Sequence, residues 1–132
     1  MESIIREILL NHEREFKLFK DKNDDWGLIK KFLKSKGCKN PLDFKNSNVV
    51  TVIGDKSTKG LSGWVVMYYH ESNTLYIGEL LATQRNGYGV RTYKNSDVVY
   101  AGQYIKQKKS GKGKLIKLSD ESVVYDGEWD ND

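Results

Sequence analysis

The chain has little of several things that would decide a protein's class. It holds one cysteine, one proline, two histidines and two methionines in 132 residues. A lone Cys38 excludes an internal disulfide framework. His12 and His70 stand far apart and share no metal-ligand spacing with Cys38, so no metal and no cofactor is expected. Long apolar runs are missing too. Val49–Ile53, with a Thr inside, and Trp64–Tyr69 fall far short of the ~20 residues that cross a bilayer. Glu2, Arg6 and Glu7 interrupt the first residues, so no secretory leader is expected, and no Asn-x-Ser/Thr sequon occurs. Charge of one sign is nearly balanced: 22 Lys and Arg against 18 Asp and Glu leave +4, which permits anionic partners without demanding them. These scarcities predict a soluble, cytoplasmic chain, with a site of action in the cytosol or peripheral to membrane or cytoskeleton.

What is present is divided unevenly. Residues 1–45 hold the only Pro, the only Cys and two of the twelve glycines, whereas residues 54–127 hold the other ten and all eight tyrosines. The first part reads as helical. Ile5, Ile8, His12, Phe16 and Phe19 follow one i, i+3/i+4 stripe, widened by Ile4, Leu9 and Leu10, with Ser3 as N-cap. After a turn at Lys20–Asn23, a second helix is predicted to start past Asp24 or Asp25. It would bury Trp26, Ile29, Phe32 and Leu33 and end at Gly37 as the C′ residue, before Asn40-Pro41. The two helices would cap whatever follows.

The second part repeats. Gly54, Gly78, Gly102 and Gly127 follow one another at steps of 24, 24 and 25 residues, with Val52, Tyr76, Tyr100 and Tyr125 two positions earlier. Between them stand Gly87-Tyr88-Gly89 and Gly111-Lys112-Gly113, preceded by a degenerate Leu61-Ser62-Gly63. A fixed period of this length marks an array of supersecondary units sharing one core. Each unit reads as a β-hairpin: Tyr76–Leu80 with Gly87–Tyr93 across a loop at Ala82–Asn86, and Val98–Ile105 with Gly113–Leu118 across Lys106–Ser110. Alternation puts Tyr100, Gly102 and Tyr104 on one face and Ala101, Gln103 and Ile105 on the other. Glycine weakens a strand, so its recurrence implies an aromatic of the neighbouring hairpin lying flat on the backbone there. The predicted fold is mainly β, an antiparallel array of hairpins capped by two helices. Residues 1–45 form the helical segment and 46–132 the array: a degenerate copy at 52–75, copies at 76–99 and 100–124, and a partial copy at 125–132.

Tyr76-Ile77-Gly78-Glu79 leading to Gly87-Tyr88-Gly89-Val90, then Tyr100-Ala101-Gly102-Gln103 leading to Gly111-Lys112-Gly113, then Tyr125-Asp126-Gly127-Glu128-Trp129, resembles the MORN repeat (membrane occupation and recognition nexus). The resemblance covers roughly residues 50–132, with a leading copy at Val52–Met67 that lacks the Tyr and the first Gly of the pattern. It implies an elongated curved sheet built hairpin by hairpin. It also implies a role as scaffold, tether or self-association module, and an affinity for anionic phospholipids.

The chemistry-bearing residues are few. His12 falls on an apolar helical stripe and His70-Glu71 precedes a turn at Ser72-Asn73, so packing and loop roles are expected of them; Cys38 has no His/Asn frame, and no enzyme is predicted. Gly111-Lys112-Gly113-Lys114 lacks phosphate-loop spacing and context. The aromatic strands point instead to a protein partner or self-association. The residues expected to carry that contact are Tyr88, Tyr93, Tyr104 and Trp129. The alternative is an anionic lipid surface met by Lys106, Lys108, Lys109, Lys112, Lys114 and Lys117, a stretch without an acid between Asp97 and Asp120. Lys112 and Lys114 should share a strand face, with Lys108 and Lys109 in the loop. Nucleic acid and small-molecule substrates are not expected, since no signature accompanies the lysines.

Overall fold

A computed structural model describes residues 1–20, 26–39, 41–46, 49–55 and 62–131, without the side chains of 18–20 and 42–46. Eight strands follow one another in sequence order in one antiparallel sheet: β1 (Leu42–Asn46), β2 (Val50–Gly54), β3 (Gly63–Tyr69), β4 (Thr74–Leu81), β5 (Gln84–Thr92), β6 (Val98–Ile105), β7 (Lys108–Lys117) and β8 (Val123–Trp129). Neighbours in sequence are neighbours in space throughout, as a hairpin array requires. Three short helices precede the sheet: α1 (Ser3–Leu10), α2 (His12–Lys20) and α3 (Leu28–Ser35).

The first predicted helix is therefore two. The break falls at Asn11, whose ψ is 15°, whose N–H is shared between the carbonyls of Glu7 and Ile8, and whose Nδ2 donates to Glu7 O at 2.9 Å. An Asn side chain that bonds its own helix backbone competes with the regular ladder, which explains a break at this residue. Glu2, not Ser3, occupies the N-cap position, and it makes no side-chain cap bond. The predicted end of α3 is as expected. Gly37 takes φ +95° while its N–H donates to Lys34 O and that of Cys38 to Leu33 O, the paired bonds of a Schellman cap. Most of the expected turn at Lys20–Asn23, and Asp24 and Asp25 with it, lie outside the described residues.

The hairpin turns are tighter than the sequence suggests. Ala82-Thr83 (φ 49° and 72°) and Lys106-Gln107 (φ 47° and 76°) form two-residue turns with both residues left-handed. That geometry matches the right-handed twist of the strands. So β5 starts at Gln84 and β7 at Lys108, inside what the sequence reads as loops. Neither turn carries the Asn-Gly or Asp-Gly pair that would have announced it.

The sheet buries a different set of residues on each side. On one side Ile53, Val66, Tyr68, Leu75, Ile77, Val90, Val99, Ala101 and Ile116 form a single core with Ile5, Ile8, Leu9, Phe16, Trp26, Ile29, Phe32 and Leu33 of the helical segment. Phe16 stacks on Tyr68 at 4.3 Å and Phe32 meets the edge of Trp64 at 5.8 Å. Arg6 reaches across to the β7–β8 turn, donating to Leu118 O at 3.1 Å and Ser119 O at 2.8 Å. On the other side Val50, Val52, Val65, Tyr76, Leu80, Tyr100 and Tyr104 form a second core that contains no helical residue. This second side is the open face.

Candidate functional site

The recurring Tyr and Gly residues build the open face. Ladder pairing is interrupted by a bulge after Gly78 and again after Gly102. The carbonyl freed near each bulge is taken by a tyrosine of the same strand: Tyr76 Oη donates to Glu79 O at 2.8 Å and Tyr100 Oη to Gln103 O at 2.7 Å. To reach it, each ring lies flat over two cross-strand glycines, Gly78 with Gly89 and Gly102 with Gly113. A Cβ at Gly89 or Gly113 would come within 2.5 Å of a ring carbon of Tyr76 or Tyr100. The ring therefore belongs to the paired strand of the same hairpin, not to the neighbouring hairpin as the sequence suggested. The first glycine of each Gly-x-Gly has a separate reason, since Gly87 and Gly111 adopt φ +98° and +73°.

This register corrects the reading of the leading copy. Gly63, at φ +112°, is spaced like Gly87 and Gly111 and pairs with Leu80, so the copy keeps its first glycine and lacks its second. Val65 stands where Gly89 and Gly113 stand, opposite Gly54, and Val52 replaces the tyrosine. Both valines are buried. Two medium side chains replace one large and one absent.

Across the face the aromatic rings meet edge to face in an unbroken series: Tyr76 with Tyr104 (5.6 Å), Tyr104 with Tyr100 (5.2 Å), Tyr100 with Trp129 (5.3 Å) and Trp129 with Tyr125 (5.3 Å). Cations cover the rings. Arg85 lies over Tyr76 and Tyr104, and Arg91 over Tyr69 at 5.3 Å. Lys109 Nζ sits 5.0 Å from Tyr93, 5.4 Å from Tyr100 and 5.1 Å from Trp129. Burial pushes the Tyr76 and Tyr104 hydroxyls well above the ordinary phenol range, more than the nearby guanidinium groups lower them.

The structure brings together three of the four aromatics expected to bind a partner. Tyr93, Tyr104 and Trp129 share the open face, with Tyr104 almost fully enclosed. Tyr88 points to the opposite side, 6.3 Å from Trp64, with its backbone N–H held by Glu79 Oε2 at 2.7 Å. The six lysines are dispersed. Lys106 is in the turn, and Lys108 begins β7 opposite Ile105 rather than lying in a loop. Lys109 is on the open face under the rings. Lys112 and Lys114 face the side of Ala101 and Ile116, opposite Glu128 and Asp126, with Lys114 Nζ 3.9 Å from Asp126. Lys117 closes the strand.

Sequence reasoning missed Arg85 and Arg91. Arg91 is two residues beyond Gly89 and pairs with both Tyr76 and Tyr100, so alternation from Gly89 would have found it. Arg85 was hidden by being read as loop. His70, expected in an exposed loop, is half-buried, with Nε2 2.7 Å from Thr51 Oγ1. His12 packs near Tyr68, and its Nδ1 lies 2.8 Å from Leu9 O.

Successive hairpins with one tyrosine and two facing glycines each define a repeat-built sheet. The MORN repeat model matches residues 76–98 and 100–117, which cover most of β4–β5 and β6–β7, and the chain carries MORN repeats there. MORN repeats are generally protein- or membrane-interaction modules. No curated protein matches the chain. Among the described residues no helix is long and apolar enough to cross a membrane.

Proposed function

We propose that the protein is a non-catalytic interaction module that takes an extended segment of a partner protein across its open face. The observation that supports this most is the contrast between the two faces. Three helices close one, while the other presents edge-on rings and three cations with no covering element among the described residues. Aromatic and Arg side chains are the groups most often responsible for affinity at interfaces. Tyr93, Trp129, Arg91 and Lys109 would supply the contact; buried Tyr104 would hold them in place. A cytoplasmic location fits a single cysteine, Cys38, that is buried and in no disulfide.

The alternative, an anionic membrane met by Lys106–Lys117, draws less support. Lys109 belongs to the open face, and Lys112 and Lys114 stand opposite carboxylates on the other one. A photo-crosslinking side chain placed at Tyr93 should couple to a protein in cells, and the same group at Lys112 should not. Coupling from Lys112 alone would overturn the assignment of the face. Flotation with phosphatidylserine vesicles that Lys112→Glu and Lys114→Glu abolish would favour the membrane instead.

A further inference from the structure

The open face contains a pocket of about 180 Å³ lined by Arg85, Arg91, Tyr93, Tyr104, Gln107 and Lys109. Its chemistry is one-sided. Three of the six lining residues are cations and none is acidic. Among the described residues no ion pair involves Arg85 or Arg91, whereas Arg6 pairs with Glu121, Lys36 with Glu2 and Lys114 with Asp126. Three polar atoms at this pocket, Arg85 Nε, Tyr93 Oη and Tyr104 Oη, are buried and make no hydrogen bond. Buried donors are ordinarily satisfied, because a donor taken out of water without a partner loses its hydration and gains nothing in return. A guanidinium N–H and two hydroxyls beside three positive charges are the donors an oxyanion accepts from.

We infer that this pocket receives one phosphate monoester group, carried on a side chain of the partner segment. Three cations suit a dianion better than a single carboxylate. Gln107, already joined to Arg85 through its carbonyl (3.0 Å from Nη2) and through Oε1 (2.5 Å from the Arg85 N–H), holds that arginine in place. The pocket draws on both ends of β5, with Arg85 beside the Ala82-Thr83 turn and Arg91 and Tyr93 at the far end. A site gathered from both strand ends suits a segment laid across the sheet, whereas a bilayer surface would meet the hairpin tips at Leu81 and Ile105, which are exposed.

The source of the phosphate rests on the partner-binding reading; the pocket itself does not, and the two fail separately. Inorganic phosphate titrated into the full chain, in a buffer free of other oxyanions, should shift the Arg85 Nε–H resonance with a dissociation constant in the millimolar range. Arg91→Gln should weaken this about tenfold, the loss expected for one charge-assisted contact. Tyr104→Phe, which keeps the ring, should weaken it as well, while Lys112→Gln on the opposite face should leave it unchanged. No shift up to about 10 mM phosphate, or equal weakening by Lys112→Gln, would overturn the pocket. N-acetyl-O-phosphotyrosine amide and N-acetyl-O-phosphoserine amide then test the source. Binding of either above inorganic phosphate, lost in Arg91→Gln, supports it. Binding of phosphatidylinositol 4-phosphate vesicles without binding of either amide, and with the same variant pattern, would overturn the peptide source and leave the pocket.

Discussion

A Cβ added to Gly113 would lie 2.4 Å from the hydroxyl oxygen of Tyr100, and the same relationship joins Gly89 to Tyr76 one repeat earlier. These contacts are what the repeated Tyr and Gly positions encode. The ring needs a bare backbone beneath it, and its hydroxyl satisfies a carbonyl beside a bulge. At the third copy Tyr125 Oη still donates to Glu128 O at 3.0 Å, but the ring covers Gly127 only and is 43% exposed.

Gly113→Ala should therefore be among the most damaging single-methyl additions in the chain. Its Cβ would strike the fully buried Tyr100 side chain, so about 3 kcal/mol of stability should be lost, or roughly 10 °C in Tm. Gly111→Ala meets only Gln103, at 3.8 Å, and carries the cost of φ +73° instead, about 1 kcal/mol. Thermal unfolding of the two variants side by side checks the order; equal losses would contradict the ring contact as the cause.

Tyr100→Phe keeps the ring and removes one hydrogen bond to Gln103 O. The expected loss is about 1 kcal/mol, because the carbonyl is left without its partner. Tyr125→Phe removes the equivalent bond at an exposed position where water can replace it, and should cost only a few tenths of that. Urea titration resolves the difference.

The leading copy supplies a compensation test. Val65→Gly alone should open a cavity, and Val52→Tyr alone should drive a ring into the Val65 side chain; each should cost about 2 kcal/mol. Together they restore the pattern of the later repeats, so the double variant should be more stable than the sum of the two losses predicts by at least about 1 kcal/mol. Strict additivity would show that the two valines do not stand in for Tyr and Gly.

Much of this was legible beforehand. The period of the glycines, the hairpin order, the side taken by Tyr100, Tyr104 and Ala101, and the Gly37 cap all followed from spacing and residue type. Three things did not. Asn11 interrupts a stripe that is continuous in apolar pattern, because its side chain acts on the backbone, which periodicity does not record. The turns at Ala82-Thr83 and Lys106-Gln107 use residues without a left-handed preference, held there by the strands they join. The separation of Tyr88 from Tyr93, Tyr104 and Trp129 follows from alternation along β5 and from the pairing of Tyr88 with Gln103 rather than Tyr104, which grouping residues by aromatic type overlooks. Arg85 and Lys109 lie four residues from Gly89 and Gly113, so alternation puts them on the open face once the tight turns draw them into β5 and β7.

Burial raises the Tyr76 and Tyr104 hydroxyls above the ordinary value of 10.0. The folded state then keeps protons that the unfolded state releases once the pH passes 10.0. The contribution is intact below that pH and lost above it, at about 1.4 kcal/mol per pH unit for each ring. Phenolate absorbance should show both groups ionising together with unfolding. Ionisation of either at its ordinary value in the folded chain would contradict the burial of the ring series.

The most direct test of the account is hydroxyl-radical footprinting of the aromatic side chains, with and without the partner recovered by crosslinking at Tyr93. The open face predicts that Tyr93 and Trp129 lose reactivity when the partner is bound while Tyr88 and Trp64, on the helix-covered side, keep theirs. Protection of Tyr88 and Trp64 with Tyr93 and Trp129 unchanged would show that the partner binds the other side of the sheet.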